Sequence, residues 1–198
     1  MLSKVVKPGV SERQILSKLE GFVKLHQVGF SFSPIIASGP NSCYPHAKVT
    51  DRILKNNEPV LIDTGIDING KKADLTSNFF LGSIPLRYTK AFDAVVLAQR
   101  EAMAMIKPGV AVADVDLKAR NVLRKFGLAK YFGHSLGHGV GLDIHENPRL
   151  SCKSSSLLEP GMIVTVEPAV YIPNQFGIRV EDMVLVTEKG CEVLSDIN

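Results

Sequence analysis

The hydrophobic positions of this chain repeat. Ile15, Leu19, Phe22 and Val23 follow i, i+4, i+7, i+8 spacing, and Val115, Ala119, Val122 and Leu123 follow it again 100 residues on. Each set predicts the buried stripe of an amphipathic helix. The same break precedes both: Val6-Lys7-Pro8-Gly9-Val10 in the first copy, Ile106-Lys107-Pro108-Gly109-Val110 in the second, with Pro-Gly interrupting the chain before the helix. Ahead of the second break, Phe92, Val95, Val96, Gln99 and Met103 predict a further helix over roughly residues 90–106. Only seven residues precede the first Pro-Gly. The equivalent first helix is therefore expected to be largely missing, and the chain to be N-terminally shortened.

Two extended runs continue the repeat. Val60-Leu61-Ile62-Asp63 and Ile163-Val164-Thr165-Val166-Glu167 are apolar or β-branched segments that end in an acid. Turn-rich stretches follow, over 64–70 and 168–177, and then second extended runs that carry Asp74 and Glu181. Each unit reads as a β-hairpin with one carboxylate per strand. The acids are offset by 104 and 107 residues. The predicted fold is α+β, with two helix-helix-hairpin units packed about a pseudo-twofold axis that brings the four acids together.

Between the hairpins lies Gly133-His134-Ser135-Leu136-Gly137-His138-Gly139-Val140-Gly141-Leu142-Asp143-Ile144-His145-Glu146, which holds three of the five histidines of the chain. Its glycines let backbone approach a buried centre closely, and imidazole is both a metal ligand and a proton carrier. Taken singly, these residues have ordinary explanations. Asp63, before Thr-Gly, could form an Asx turn, and His145-Glu146 could be a loop pair. Taken together they favour a metal site. Four buried carboxylates cannot all ionise without compensation, and two divalent cations would balance them. A neutral His138 would add a nitrogen ligand. Oxygen-rich ligation with one imidazole suits Mn²⁺, Co²⁺, Fe²⁺ or Zn²⁺.

Composition narrows the class. The 198 residues suffice for one compact domain. The formal charge of +3 is small, with basic residues scattered, so no nucleic-acid footprint is expected. No apolar run approaches a membrane span, and no signal peptide is evident. Cys43, Cys152 and Cys191 are too few and too dispersed for a disulfide framework, which points to a reducing cytoplasm.

These motifs resemble the creatinase/aminopeptidase (pita-bread, M24) metallopeptidase family, and within it bacterial Xaa-Pro aminopeptidases, with Xaa-Pro dipeptidases (prolidases) close by. The resemblance runs from about Lys7 to Leu194. It is carried by Pro34 to Gly39 with Asn41 and His46, by Leu61-Ile-Asp63-Thr-Gly65, by Asp74-Leu-Thr76 and by the histidine segment. Glu159-Pro-Gly-Met162 to Glu167-Pro168 and Gly177-Ile-Arg-Val-Glu181-Asp182 complete it. The resemblance implies a pita-bread catalytic domain over residues 1–198 around a curved antiparallel sheet, without the separate N-terminal domain of full-length relatives. It implies two divalent metals, Mn²⁺ foremost, held by Asp63, Asp74, His138, Glu167 and Glu181, with Asp74 and Glu181 bridging. A hydroxide between the metals would attack the scissile carbonyl. His134 and His145 would line the site and stabilise the oxyanion. His46 would stand near the substrate pocket, Glu167 would shuttle a proton, and Arg179 would orient Glu181. Ser77 departs from the arginine usual after Asp-Leu/Ile-Thr.

The implied reaction is hydrolysis of the bond between an N-terminal residue and proline in short peptides, by a chain that is cytoplasmic and able to form a homo-oligomer. An Xaa-Pro bond has no N–H, so a peptidase that relies on that donor fails on it. The alternatives are an Xaa-Pro dipeptidase, a methionine aminopeptidase, which usually lacks a histidine at the position of His134, and a non-catalytic peptide-binding module, which typically loses ligands retained here.

Overall fold

In a computed structural model, which describes residues 2–195, the repeat is visible in three dimensions. The first amphipathic helix, α1, spans Glu12–Leu25 and buries Ile15, Leu19 and Val23. Its N-terminus is closed by a capping box. Ser11 Oγ accepts from Gln14 N at 3.1 Å, and Gln14 Oε1 accepts from Ser11 N at 2.9 Å, which satisfies two otherwise orphaned donors. The helix α2 spans Leu86–Met103 and α3 spans Val112–Lys125. Ala111 at the start of α3 offers no side-chain cap; there the Val112 N–H donates to Ser156 O at 3.1 Å.

Corresponding backbone bonds recur in both copies. Gly9 N donates to Leu54 O and Leu54 N to Val10 O; Gly109 N donates to Leu158 O and Leu158 N to Val110 O. Both glycines hold positive φ, +88° and +80°, as the Pro-Gly break requires. Both helices end in the same motif. Gln27 and Gly127 adopt left-handed φ of 53° and 70°, while Val28 N reaches back to Val23 O and Leu128 N to Leu123 O. This is a Schellman C-cap.

The helix α2 differs from expectation. It begins at Leu86 and ends at Met103, and its buried face is Tyr88, Ala91, Ala94, Val95, Ala98, Gln99 and Ala102. Of the expected stripe, Val95 and Gln99 are buried, whereas Val96 is half-buried. Alanine carries too little apolar weight to mark a stripe in sequence, yet it lets α3 and the strands pack closely. The element before the first Pro-Gly is a single helical turn, Leu2–Val5.

The strands pair antiparallel throughout. β1 (Ile35–Ser38), β2 (Glu58–Thr64) and β3 (Leu75–Leu81) form one ladder, with β2 central and Asp63 opposite both Ile35 and Thr76. A five-stranded ladder contains β4 (Gly137–Gly139), β5 (Glu146–Leu150), β6 (Ile163–Val166), β9 (Asp182–Val186) and β10 (Cys191–Val193), in the order β10-β9-β6-β4-β5. Its second hairpin is extended by β7 (Ala169–Ile172) and β8 (Phe176–Arg179). A small sheet joins Gly29–Phe30, Ile66–Ile68 and Lys71–Lys72.

The expected single curved sheet is thus divided into four ladders, and the divisions fall at the acids. Between β6 and β7 stand Glu167 and Pro168, and proline supplies no ladder N–H. Opposite them stand Val180 and Glu181, with Val180 N bonded to Pro168 O. In the first unit the bend lies at Gly65, beside Ala73 and Asp74. A Cβ on Gly65 would lie 1.7 Å from Ala73 O.

The core is unequal between the units. The larger cluster packs α2 and α3 against β6–β9. The smaller one gathers Val6, Ile15, Leu19, Ile36, Leu54, Val60, Ile62 and Leu81. The glycines of the histidine segment are not equivalent. A Cβ on Gly137 would sit 1.9 Å from Thr165 O, whereas one on Gly133 would meet nothing within 4 Å. Gly137→Ala should therefore cost about 1–3 kcal/mol by overpacking and lower the thermal midpoint, and Gly133→Ala should not. Equal midpoints for the two variants, by calorimetry, would contradict this packing.

Candidate metal centre

Each hairpin delivers its acids where its ladder bends. Asp63 is the last buried residue of β2, and Asp74 stands just before β3. Glu167 follows β6, and Glu181 lies between β8 and β9. One oxygen from each of Asp63, Asp74 and Glu181 falls within 4.8 Å of the others. His138, on β4, places Nε2 3.4 Å from Glu167 Oε1 and 3.6 Å from Asp74 Oδ2. Asp74 thus stands between two groups, Asp63 with Glu181 on one side and His138 with Glu167 on the other.

The charge is poorly compensated by the protein. Among the described residues, Arg179 is the only lysine or arginine hydrogen-bonded to any of the four acids. Burial, followed by the charges of Asp63 and Glu167, pushes Asp74 up to about 8. Burial pushes Glu167 up to about 7, and burial with the neighbouring acids raises Glu181 well above the carboxylate range. These shifts express the cost of ionising a cluster of like charges out of water.

Three observations fit a cation. Asp63 Oδ1 is buried with no hydrogen-bond partner. Burial holds His138 down at about 4, so its ring is neutral. Its Nδ1–H donates to Gly139 O at 3.0 Å, which leaves the Nε2 lone pair facing two carboxylates. That contact is not an ion pair; a positive ion held between the groups would resolve it. Finally, every oxygen donor here is a carboxylate and the one nitrogen an imidazole, a set that suits a divalent metal.

Side chains given no site role by the sequence hold the acids. Thr76 Oγ1 donates to Glu181 Oε2 at 2.6 Å, and Thr165 Oγ1 donates to Glu167 Oε1 at 3.2 Å. Arg179 was expected to orient Glu181. Its direct carboxylate partner is Asp63, and it reaches Glu181 only through Thr76, whose Oγ1 accepts from Arg179 Nε at 2.9 Å. Both side chains meet at the Thr76 hydroxyl. Thr76 stands in the Asp74-Leu-Thr76 motif, but only the strand register shows it paired with Asp63.

Tyr171 was also missed. Burial raises its phenol to about 12, so it is neutral; it accepts from Arg179 Nη1 at 2.6 Å and donates to His134 Nε2 at 3.1 Å. Burial lowers His134 to about 4, and its Nδ1–H donates to Ser135 O at 2.8 Å. Both His134 nitrogens are therefore engaged within the protein, so His134 presents no free N–H for an oxyanion. His145 and His46 are exposed on the cleft, and the His145 ring lies 4.4 Å from that of His138.

All nine residues expected at the site, His46, Asp63, Asp74, His134, His138, His145, Glu167, Arg179 and Glu181, line one cleft of about 1390 Å³. Arg149 lines it too. It stands directly opposite His138 in the β4–β5 register, and paired residues project to the same face.

Comparison with known proteins places this arrangement. The model of metallopeptidase family M24 matches residues 1–188. The Xaa-Pro dipeptidase of Pyrococcus furiosus is 38% identical over 191 residues, 96% of this chain and 55% of that protein. The prolidase structure from Pyrococcus furiosus superposes with a TM-score of 0.95 at 37% identity, covering 98% of this chain and 58% of that one. An X-Pro aminopeptidase structure from Thermotoga maritima gives 0.95 at 34% identity, covering 98% and 56%. The chain spans about half the length of the curated relatives it matches. It has the fold of these pita-bread enzymes, and it belongs to metallopeptidase family M24.

Proposed function

We propose that residues 1–198 form the catalytic domain of a metal-dependent Xaa-Pro dipeptidase. Its two divalent ions are held by Asp63, Asp74, His138, Glu167 and Glu181. The carrying observation is the split of ligands about Asp74, with Asp63 and Glu181 on one side and His138 and Glu167 on the other. Asp74, and with it Glu181, would be shared between the two ions, as the resemblance implies. Mn²⁺ is the proposed metal.

The choice of dipeptidase departs from the Xaa-Pro aminopeptidase expected from sequence. Named relatives that are Xaa-Pro dipeptidases support it, and so does Arg149. A dipeptide ends in a free carboxylate beside the scissile bond, so its site needs a cation close to the metal ligands. The Arg149 side chain is exposed in the cleft on the face of His138. Its Nε donates to Ser135 Oγ at 3.1 Å, leaving the terminal nitrogens for a carboxylate.

When bound, the metals supply an activated water and Lewis-acid polarisation of the scissile carbonyl. The chain's own groups do the rest. His145 and His46 donate hydrogen bonds to the developing oxyanion and the substrate. His134 forms the wall that keeps Tyr171 and Arg179 in place behind Asp63. Glu167, held by Thr165, is the group nearest His138 that can carry a proton toward the departing proline nitrogen. Nothing in this scheme needs a substrate N–H, so proline is accepted.

Three outcomes are expected. First, Asp74→Ala abolishes hydrolysis and lowers metal content by elemental analysis; retention of two ions per chain would contradict the shared role. Second, Arg149→Ala raises KM for an Xaa-Pro dipeptide roughly tenfold or more, the scale of a lost charged hydrogen bond, and affects an Xaa-Pro-Yaa tripeptide less. Equal effects on both, or better cleavage of the tripeptide by the parent, would point back to an aminopeptidase.

The third concerns pH. Carboxyls raised on folding add stability below their unfolded values and lose it as pH climbs through the folded ones. Asp74 and Glu167 titrate near about 8 and about 7. The metal-free protein should thus melt at lower temperature at pH ~8.5 than at pH ~6, and Mn²⁺ should raise the midpoint more at the higher pH. A metal-free midpoint that rises across this interval would refute the assignment.

A further inference from the structure

One charged pair with a buried carboxylate lies outside the cleft yet touches the segment that carries the cleft histidines. Asp116 sits on α3, fully buried within the face formed by Val112, Val115 and Ala119. A buried carboxylate is tolerated only when its oxygens are bonded. Arg120 Nε donates to Asp116 Oδ2 at 2.8 Å and Nη2 to Oδ1 at 3.1 Å, a two-pronged pair one helical turn apart. The remaining capacity of both groups goes to backbone. Asp116 Oδ1 accepts from Leu136 N and Oδ2 from Cys152 N, each at 3.0 Å. Arg120 Nη1 donates to Phe132 O at 3.0 Å and Nη2 to His134 O at 2.5 Å.

A second contact runs through rings. The Arg120 guanidinium lies 4.4 Å from the centroid of Phe132, and the edge of that stack meets His134, with ring centroids 5.0 Å apart at 86°. Arg120 thus fixes the His134 main chain through its carbonyl and the imidazole plane through Phe132. On its other side His134 meets the Tyr171 hydroxyl, which binds Arg179. His138 has separate support from Thr165 Oγ1, which accepts its N–H at 3.1 Å, and from Gly139 O.

We propose that Arg120, held by Asp116, is a positioning residue for His134, setting the orientation of that ring in the cleft without touching substrate or the acid cluster. A lysine keeps the charge but cannot bond Asp116, Phe132 O and His134 O together. The consequence for turnover rests on the Xaa-Pro peptidase reading above; the consequence for the ring does not.

The test is Arg120→Lys in the full chain, with Val122→Ala as a control that weakens the same helix without touching this network. Histidine-ring nitrogen NMR of the metal-free protein should show the His134 resonances displaced, with those of His138 and His145 in place. With Mn²⁺ added, the metal content should be unchanged and kcat should fall roughly tenfold, the scale typical of supporting-residue loss, with KM within about twofold. Val122→Ala should change neither ring nor kcat. If Arg120→Lys does not fold, Phe132→Leu removes the ring contact while leaving the charged pair, and should displace His134 in the same selective way. An unmoved His134 signal, or the same change in Val122→Ala, overturns the proposal. If the parent protein hydrolyses no Xaa-Pro peptide but the ring spectra behave as expected, the functional reading fails and the positioning role stands.

Discussion

Mutual repulsion among Asp63, Asp74, Glu167 and Glu181 is the constraint on which the rest of the structure depends. Two hairpins bring these acids into a water-poor centre where the protein supplies one bonded guanidinium, that of Arg179. Raised carboxyl pKa values and the orphaned Asp63 Oδ1 are two expressions of that imbalance. Much of the surrounding architecture steadies the acids at their positions. Thr76 and Thr165 each bond one carboxylate, Arg179 is held by Tyr171 and Pro45 O, and the neutral His138 offers a lone pair instead of a proton.

The duplication provides the acids without making the halves alike. Both units use a Pro-Gly break, a Schellman-capped helix and a hairpin that bends at its acids. In the first unit the bend comes from Gly65, whose missing Cβ lets Ala73 O approach. In the second it comes from Glu167-Pro168 facing Val180-Glu181. Only the second unit inserts the glycine-rich histidine segment between helix and hairpin. The fold is thus symmetric in its supply of carboxylates and asymmetric in the imidazoles and cations that face a substrate.

Much of this was legible in the sequence because it is periodic. The stripes of α1 and α3 and the spacing of the four acids follow from repeats along the chain, and the histidine segment stands out by composition. What escaped depends on contacts between distant residues. The α2 face is built of alanines, which carry little hydrophobic signal. Arg179 is two residues from Glu181 but bonds Asp63 directly and Glu181 only through Thr76, a partner 103 residues away along the chain. Tyr171 reads as another apolar strand residue until its hydroxyl is seen between Arg179 and His134. Asp116 and Arg120 read as an ordinary helical ion pair, and only folding brings them to the carbonyls of Phe132 and His134. The resemblance divided the histidines into one ligand and helpers, but not the engagement of His134, whose nitrogens are occupied by Ser135 O and Tyr171 while His145 and His46 stay exposed on the cleft.

The central claim is that shared carboxylates, Asp74 with Glu181, join two metal positions in a single centre. Electron paramagnetic resonance of the protein reconstituted with two equivalents of Mn²⁺ tests it most directly. Two ions bridged by Asp74 and Glu181 predict an exchange-coupled dinuclear spectrum at two ions per chain. An isolated six-line Mn²⁺ signal that saturates at one ion per chain would contradict the account.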